Sequence, residues 1–469
     1  MAGHHQARDQ RRNGRRAAAV AGALAITLVL AACGSGTKTN NAASTTSTPG
    51  VTAPVDKTLG IGVTAKTVTI GVTLVDFDNP IIKDNAPAVR LGQEAIYGAF
   101  IKNVNDHGGI AGRKLVPVYK KYIPVGTSFI LPVCTSLTED SKVFATIGTY
   151  YEPSGAAQLC MAKDHQRVLL TFDLTQHIMD KAPPGLIVTP ANTPERSVQV
   201  LLELLAKRHT LDGKTVAVLG ETRDPSLVTD DIVPALKKLH VKMGDTALLT
   251  ISGGDTIQPQ SELDSFIEKW KSENVSVVVL DGKEASSEQF VSKLRKKMPN
   301  LLLLADDTEV LSYGQSEKHS GKSPNAYEGT LAVSGETHAE YAAGPNWKYC
   351  KDVYKAETGK TAPGPDDVIP FNGSKTQTLD TYGAINDACQ LVTMFQDIGN
   401  KVGPYLNNTN WVNTVNHFGH IENRGSGPYS SLSTGKYDAD DNYRLVEFDS
   451  SLPPDGNWKA LTPLENVPK

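Results

Sequence analysis

From Thr67 to Asp306 the chain repeats one pattern: an apolar, β-branched run, then a stretch with helical spacing, then another such run. TVTIGVTL (67–74) reads as a strand buried on both faces. A helix is expected over 92–105, with Ala95, Ile96, Ala99, Phe100 and Val104 on one stripe. HGGIAGRK then turns the chain into KLVPVYKKY. Helices around 131–137 and 155–163 lead to KVFATIG (142–148) and RVLLTFD (167–173). The pattern restarts with TPERSVQVLLELLAKRH, a helix opened by Thr193 as N-cap and Pro194 at its first position. TVAVLG (215–220), ALLTI, VSVVVLD (275–281) and NLLLLAD (300–306) follow as strands, separated by helices over 230–240, 262–273 and 287–298. Strands that alternate with helices make a parallel sheet covered on both faces. Two such series predict an α/β chain with two open sheets, each with a crevice at its strand carboxyl ends. GTLAVSG (329–335) reads as a crossover strand, helices follow over 346–357 and 382–398, and YRLVEFD (443–449) reads as the final strand.

Length agrees with more than one domain, since 469 residues is about three times the usual single-domain size. A net charge of −4 lacks the basic excess of a nucleic-acid binder. Five cysteines is an odd number, and the amino terminus accounts for one of them. Arg8, Arg11, Arg12, Arg15 and Arg16 precede the uncharged run AAAVAGALAITLVLAA, which is short for a membrane span and fits a signal-peptide core. The run ends in Leu30-Ala31-Ala32-Cys33, which resembles the bacterial lipobox. Small residues there admit the peptidase, and the Cys33 thiol would take the lipid. Cleavage after residue 32 removes five arginines and one aspartate, leaving 42 basic and 50 acidic residues, a net charge of −8. The next stretch, 33–58, is almost empty of large apolar residues and is expected to be a disordered tether.

Several blocks carry a family likeness. GVTLVDF leads to GQEAIYGAFIKNVNDHGGIAGRKLVPV, followed by CTSLTEDSKVFATIG, AYEGTLAVSG and GKYDADDNYRLVEFD. Together, from about Leu59 to the end, they resemble the type I periplasmic binding proteins, in particular the branched-chain amino-acid (Leu/Ile/Val) substrate-binding branch of the ABC importers, in lipoprotein form. The resemblance implies two Rossmann-like lobes joined by a three-strand hinge, with crossovers near Val188, Leu331 and Ser426. The expected division is 59–188 plus 332–425 for the first lobe and 189–331 plus 426–469 for the second.

The same resemblance implies a small polar ligand held between loops at the strand carboxyl ends. Hydroxyls and amides of the first lobe would meet an acid group, and a second-lobe carboxylate would meet an ammonium. On that mapping the first lobe offers Tyr150, Tyr151 and Ser154 after KVFATIG, and Thr171 and Asp173 after RVLLTFD. The second offers Asp224, Glu284 and Asp307, of which Asp307 lies nearest the family's ammonium-binding acid. Asp173 beside the expected carboxylate position would repel an amino acid's acid group. The set favours a cationic or polyhydroxylated solute over a simple branched-chain amino acid.

Cys134 and Cys160, and Cys350 and Cys389, lie in pairs on helices flanking lobe strands. Three connectivities are open; pairing of neighbours is expected in an exported chain, because each pair falls inside one lobe. Ser316-Glu-Lys-His-Ser-Gly-Lys-Ser323 lacks the first glycine of a phosphate loop. Asp438-Ala-Asp440-Asp-Asn442 begins like a calcium loop, but Tyr443 stands where the sharp-turn Gly belongs. His417-Phe-Gly-His420 has no standard metal spacing. The expectations are therefore no metal, no cofactor, no nucleic acid and no catalysis. The chain reads as a monomeric, lipid-anchored binding component at the extracytoplasmic face of the cell membrane, its partners a small solute and ABC permease subunits. A ligand sensor of the same fold signalling to a membrane partner is the alternative.

Overall fold

The computed structural model describes residues 55–468, except 85, 87, 125, 151–153, 173, 223–224, 252–256, 306–308 and 375–376. The expected signal peptide and Cys33 lie outside the described residues. Five strands form the first sheet: β1 (Thr67–Val75), β2 (Lys114–Tyr122), β3 (Ala145–Gly148), β4 (Val168–Leu170) and β5 (Ile187–Val188). They are all parallel, in the order β2-β1-β3-β4-β5. The second sheet has β6 (Thr215–Glu221), β7 (Lys242–Leu249), β8 (Val277–Leu280), β9 (Leu302–Ala305) and β10 (Leu331–Ser334), again parallel, in the order β7-β6-β8-β9-β10. The two orders are the same.

YRLVEFD is not the final strand. As part of β11 (Asn442–Asp449) it runs antiparallel to β10, and β12 (Asn457–Ala460) and β13 (Glu465–Asn466) both pair with it. The helices Glu309–His319 and Asn408–Asn416 also escape the sequence pattern, as do shorter ones such as Gln176–Met179 and His338–Ala343.

Burial on both faces explains the apolar strands. In β8, Val277 and Val279 join one core of the second sheet while Val278 and Leu280 join the other, the two-residue period of a strand covered on both sides. The first lobe has a single core, whose centre stacks Phe395 on Trp411 at 5.4 Å, with Phe144 edge-on at 6.1 Å. Trp411 is fully buried and its indole N–H is satisfied by the Gly185 carbonyl at 3.2 Å. Both expected disulfides, Cys134–Cys160 and Cys350–Cys389, are formed, and all four cysteines pack in this core.

The connections between the lobes lie side by side. Thr189, just past β5, exchanges backbone hydrogen bonds with Tyr437 and Ala439. Leu432, Tyr437 and Ala439 pack in the first core, whereas Tyr443 packs in the second lobe. Arg196, in the helix Pro194–Lys207, binds Asp438 at 2.9 Å and Asp441 at 2.7 Å, and Lys436 reaches Asp441 at 2.9 Å. The acids that open like a calcium loop are thus occupied by cations of the chain itself, and Asp440 accepts from Asn442.

Candidate ligand-binding cleft

In an open parallel sheet, a ligand crevice forms at the strand carboxyl ends where the strand order reverses. That point lies between β1 and β3 in the first lobe and between β6 and β8 in the second. β3 ends at Gly148, with φ +129°, where a Cβ would lie 2.2 Å from the Thr73 carbonyl oxygen of β1. Only glycine permits that approach. The Thr73 hydroxyl donates to the Thr149 carbonyl at 3.0 Å and so ties the departing loop to the sheet.

Two hydroxyls at this edge stand out. Thr149 follows β3 and Thr171 follows β4, on neighbouring strands. Both hydroxyl oxygens are buried, and neither has a hydrogen-bond partner among the described residues. A buried polar group left unpaired costs about 1–3 kcal/mol. Thr171 was expected at the site; Thr149 was not, because the adjacent tyrosines drew the reading.

The other expected residues fall in different settings. Tyr150 is fully buried and packs in the first core, and its phenol is pushed to higher pKa by that burial. Gln158 donates to its carbonyl at 3.1 Å, holding the loop against the following helix. Ser154 is exposed, and its hydroxyl accepts from the Ala156 amide at 3.3 Å at the start of the short helix Ala156–Leu159. Tyr151, Asp173, Asp224 and Asp307 lie outside the described residues.

In the second lobe the acid that organises the edge is Glu221, the last residue of β6 and only 3% exposed. Its Oε1 accepts from the amides of Glu284 at 2.8 Å and Ala285 at 3.0 Å. Glu284 therefore enters the site through its main chain, with a half-buried side chain. Gly282, at φ +85°, makes this possible, since a Cβ there would lie 2.5 Å from Glu221 Oε1. Asp281 follows β8 directly and is 6% exposed. Neither Glu221 nor Asp281 was singled out from sequence. Their signal was nonetheless present: TVAVLGE and VSVVVLD each close an otherwise apolar strand with an acid.

The two edges differ chemically. Buried hydroxyl groups follow the strands of the first, and buried carboxylates those of the second. Such an arrangement suits a solute with a hydrogen-bonding acceptor at one end and a cation or several donors at the other. Among the described residues, no helix is long and apolar enough to cross a membrane.

No family model matches the chain, and no curated protein matches it. Solved structures do. A solute binding protein of an ABC transporter from Rhodopseudomonas palustris, in complex with 3,4-dihydroxy benzoic acid, superposes with a TM-score of 0.57 at 13% identity, covering 86% of this chain and 98% of that one. The branched-chain amino acid transporter substrate binding protein of Streptococcus pneumoniae, in complex with isoleucine, gives 0.56 at 15% identity, covering 86% and 99%. A fatty acid ABC transporter substrate-binding protein from Thermomonospora curvata gives 0.56 at 14% identity, covering 87% and 95%. The chain has the type I periplasmic binding protein fold. Because these neighbours name such different ligands, the fold alone does not select one.

Proposed function

We propose that this chain is the extracytoplasmic solute-binding component of an ABC importer, capturing a small polar solute as its two lobes close. The observation that carries the reading is the pairing of two sheets whose five parallel strands share one order, one edged with buried hydroxyls that have no partner among the described residues and the other with buried carboxylates. Closure shuts water out of the crevice and strengthens each polar contact. A ligand drives it only by favouring the closed form over the open one.

On this reading Thr149 and Thr171 receive the acceptor end of the solute. Glu221, Asp281 and Glu284, together with Asp224 and Asp307, receive its cationic or hydroxylated end. Tyr151 and Asp173 complete the first-lobe side. The acids support an ammonium-bearing or polyhydroxylated solute. Cys33 carries the lipid, and 33–58 is the tether that holds the body, a binding protein and not an enzyme, near permease subunits. The lobes divide as 59–188 plus 335–439 and 189–334 plus 440–469, a later last crossover than the one expected near Ser426, since Leu432, Tyr437 and Ala439 pack in the first core and β10 lies in the second sheet.

A thermal-shift screen of amino acids, polyamines, sugars, amides and aromatic acids tests this. A true ligand at 100 times its Kd stabilises the chain by about 2.7 kcal/mol. If no compound of any class shifts the melting temperature, the binding role is wrong.

A further inference from the structure

His177, Glu195 and Asp231 are far apart in sequence, and the structure brings them together across the two lobes. His177 belongs to the short helix Gln176–Met179 after β4, whose Ile178 and Met179 pack in the first core. Glu195 opens the helix Pro194–Lys207, and Asp231 lies in the π-helical turn Leu227–Ile232; both elements pack in the second lobe through Val198, Val228 and Ile232. His177 Nε2 stands 2.9 Å from Asp231 Oδ2 and 3.9 Å from Glu195 Oε1. One donor atom from each residue lies within 4.8 Å of the other two.

We propose that these three side chains form a divalent-cation site of the zinc class that ties the lobes together beside the first interlobe connection. Metal–ligand bonds of about 2.0–2.1 Å in a tetrahedron place donor atoms roughly 3.3–3.4 Å apart, between the two distances found. Imidazole with carboxylates is a donor set that zinc accepts, leaving a fourth position for water. Charge agrees: a neutral imidazole and two carboxylates balance a dication. Glu195 supplies the independent sign of a missing partner. It is 7% exposed; its Oε1 accepts from the His177 amide at 3.2 Å, while its Oε2 is buried with no hydrogen-bond partner among the described residues.

Other clusters lack this combination. Cys134, Cys160 and His165 come equally close, but the two sulfurs are joined in a disulfide. His209 and His338 each meet a single acid, Asp212 and Asp366, in exposed pairs. The site escaped motif reading because its ligands come from three separate segments, with none of the spacings that mark a helix or loop site.

Isothermal titration of ZnCl₂ into the chelator-treated full chain reads both stoichiometry and affinity. The expected result is one site per chain, with an affinity lowered at least about 100-fold, the upper end for loss of even an outer-shell partner, in His177→Gln and in Asp231→Asn. Asp231→Asn keeps a similar shape at a half-exposed position, so it separates ligand loss from misfolding, which circular dichroism checks. Absence of saturable zinc binding, or zinc binding that both variants leave unchanged, overturns the site and leaves His177–Asp231 as an ion pair only. Neither result bears on solute capture, which is read without metal.

Discussion

The two lobes share a strand order but not the means that hold them or the chemistry at their edges. The first contains both disulfides and the Phe144–Phe395–Trp411 stack; the second has no disulfide and relies on two apolar cores, one on each face of its sheet. At the cleft the relation reverses. The second lobe's edge is knit together by Glu221, whereas the Thr149 and Thr171 hydroxyls of the first have no partner among the described residues. The lesson is that a duplicated topology fixes where a site can lie, while the residue just past each strand decides what that site does and what it costs.

Removing the cross-links is the harshest way to break the comparison. The loops closed span 26 and 39 positions. In the chain-entropy model they stabilise by about 3.5 and about 4 kcal/mol. Replacing all four cysteines by Ser should therefore destabilise the first lobe by up to about 7 kcal/mol and leave the second nearly untouched. Hydrogen exchange, read lobe by lobe, would expose an equal loss in both and refute the division. Trp270→Ala provides the counterpart in the second lobe. That side chain is fully buried, with its indole N–H on the Asp245 carbonyl, so a loss of about 3–5 kcal/mol confined to that lobe is expected.

Milder substitutions sharpen the contrast at the edges. Glu221→Ala strips the amides of Glu284 and Ala285 of their acceptor, so both stability (by about 1–3 kcal/mol) and solute affinity should fall. Thr171→Val removes a buried hydroxyl that has no described partner, so denaturant unfolding should show unchanged or slightly higher stability, by up to about 1 kcal/mol, while affinity drops about tenfold. If the two variants behave alike, the edges are not chemically different.

A pH-dependent effect is expected at the interlobe connection. Burial raises the Asp440 carboxyl to about 6, against the opposing hydrogen bonds from Asn442. The folded state then holds a proton that the unfolded state has already lost, so this group's contribution declines as pH rises from about 4 to 6. Asp440→Asn should leave stability near pH 4 unchanged and raise it above pH 6. Melting curves across that range decide the point.

Much of the fold was legible because strands buried on both faces announce themselves as apolar runs, and because Thr193-Pro194 marks a helix start so clearly. The helix Glu309–His319 was not. Gly314 interrupts its pattern, and its reason is tertiary: a Cβ there would meet the Phe448 ring at 2.7 Å. Asn408–Asn416 is rich in asparagine, a weak helix former, and is held by the buried Trp411 and Val415 one turn apart. The antiparallel tail was missed because nothing in β11 itself reports direction. At the site, Thr171 and Glu284 could be read as loop residues after strands. Glu221 carried the signal of an acid closing an apolar strand, whereas Thr149 could not be ranked above its neighbours, since burial without a described partner, and not residue type, distinguishes it.

The central claim is that a small solute closes the lobes, and small-angle scattering tests it most directly. The solute that gives the largest thermal shift should reduce the radius of gyration of the full chain, saturating with the same midpoint as binding, and Glu221→Ala should move both midpoints together. A radius unchanged at saturating solute would contradict the account.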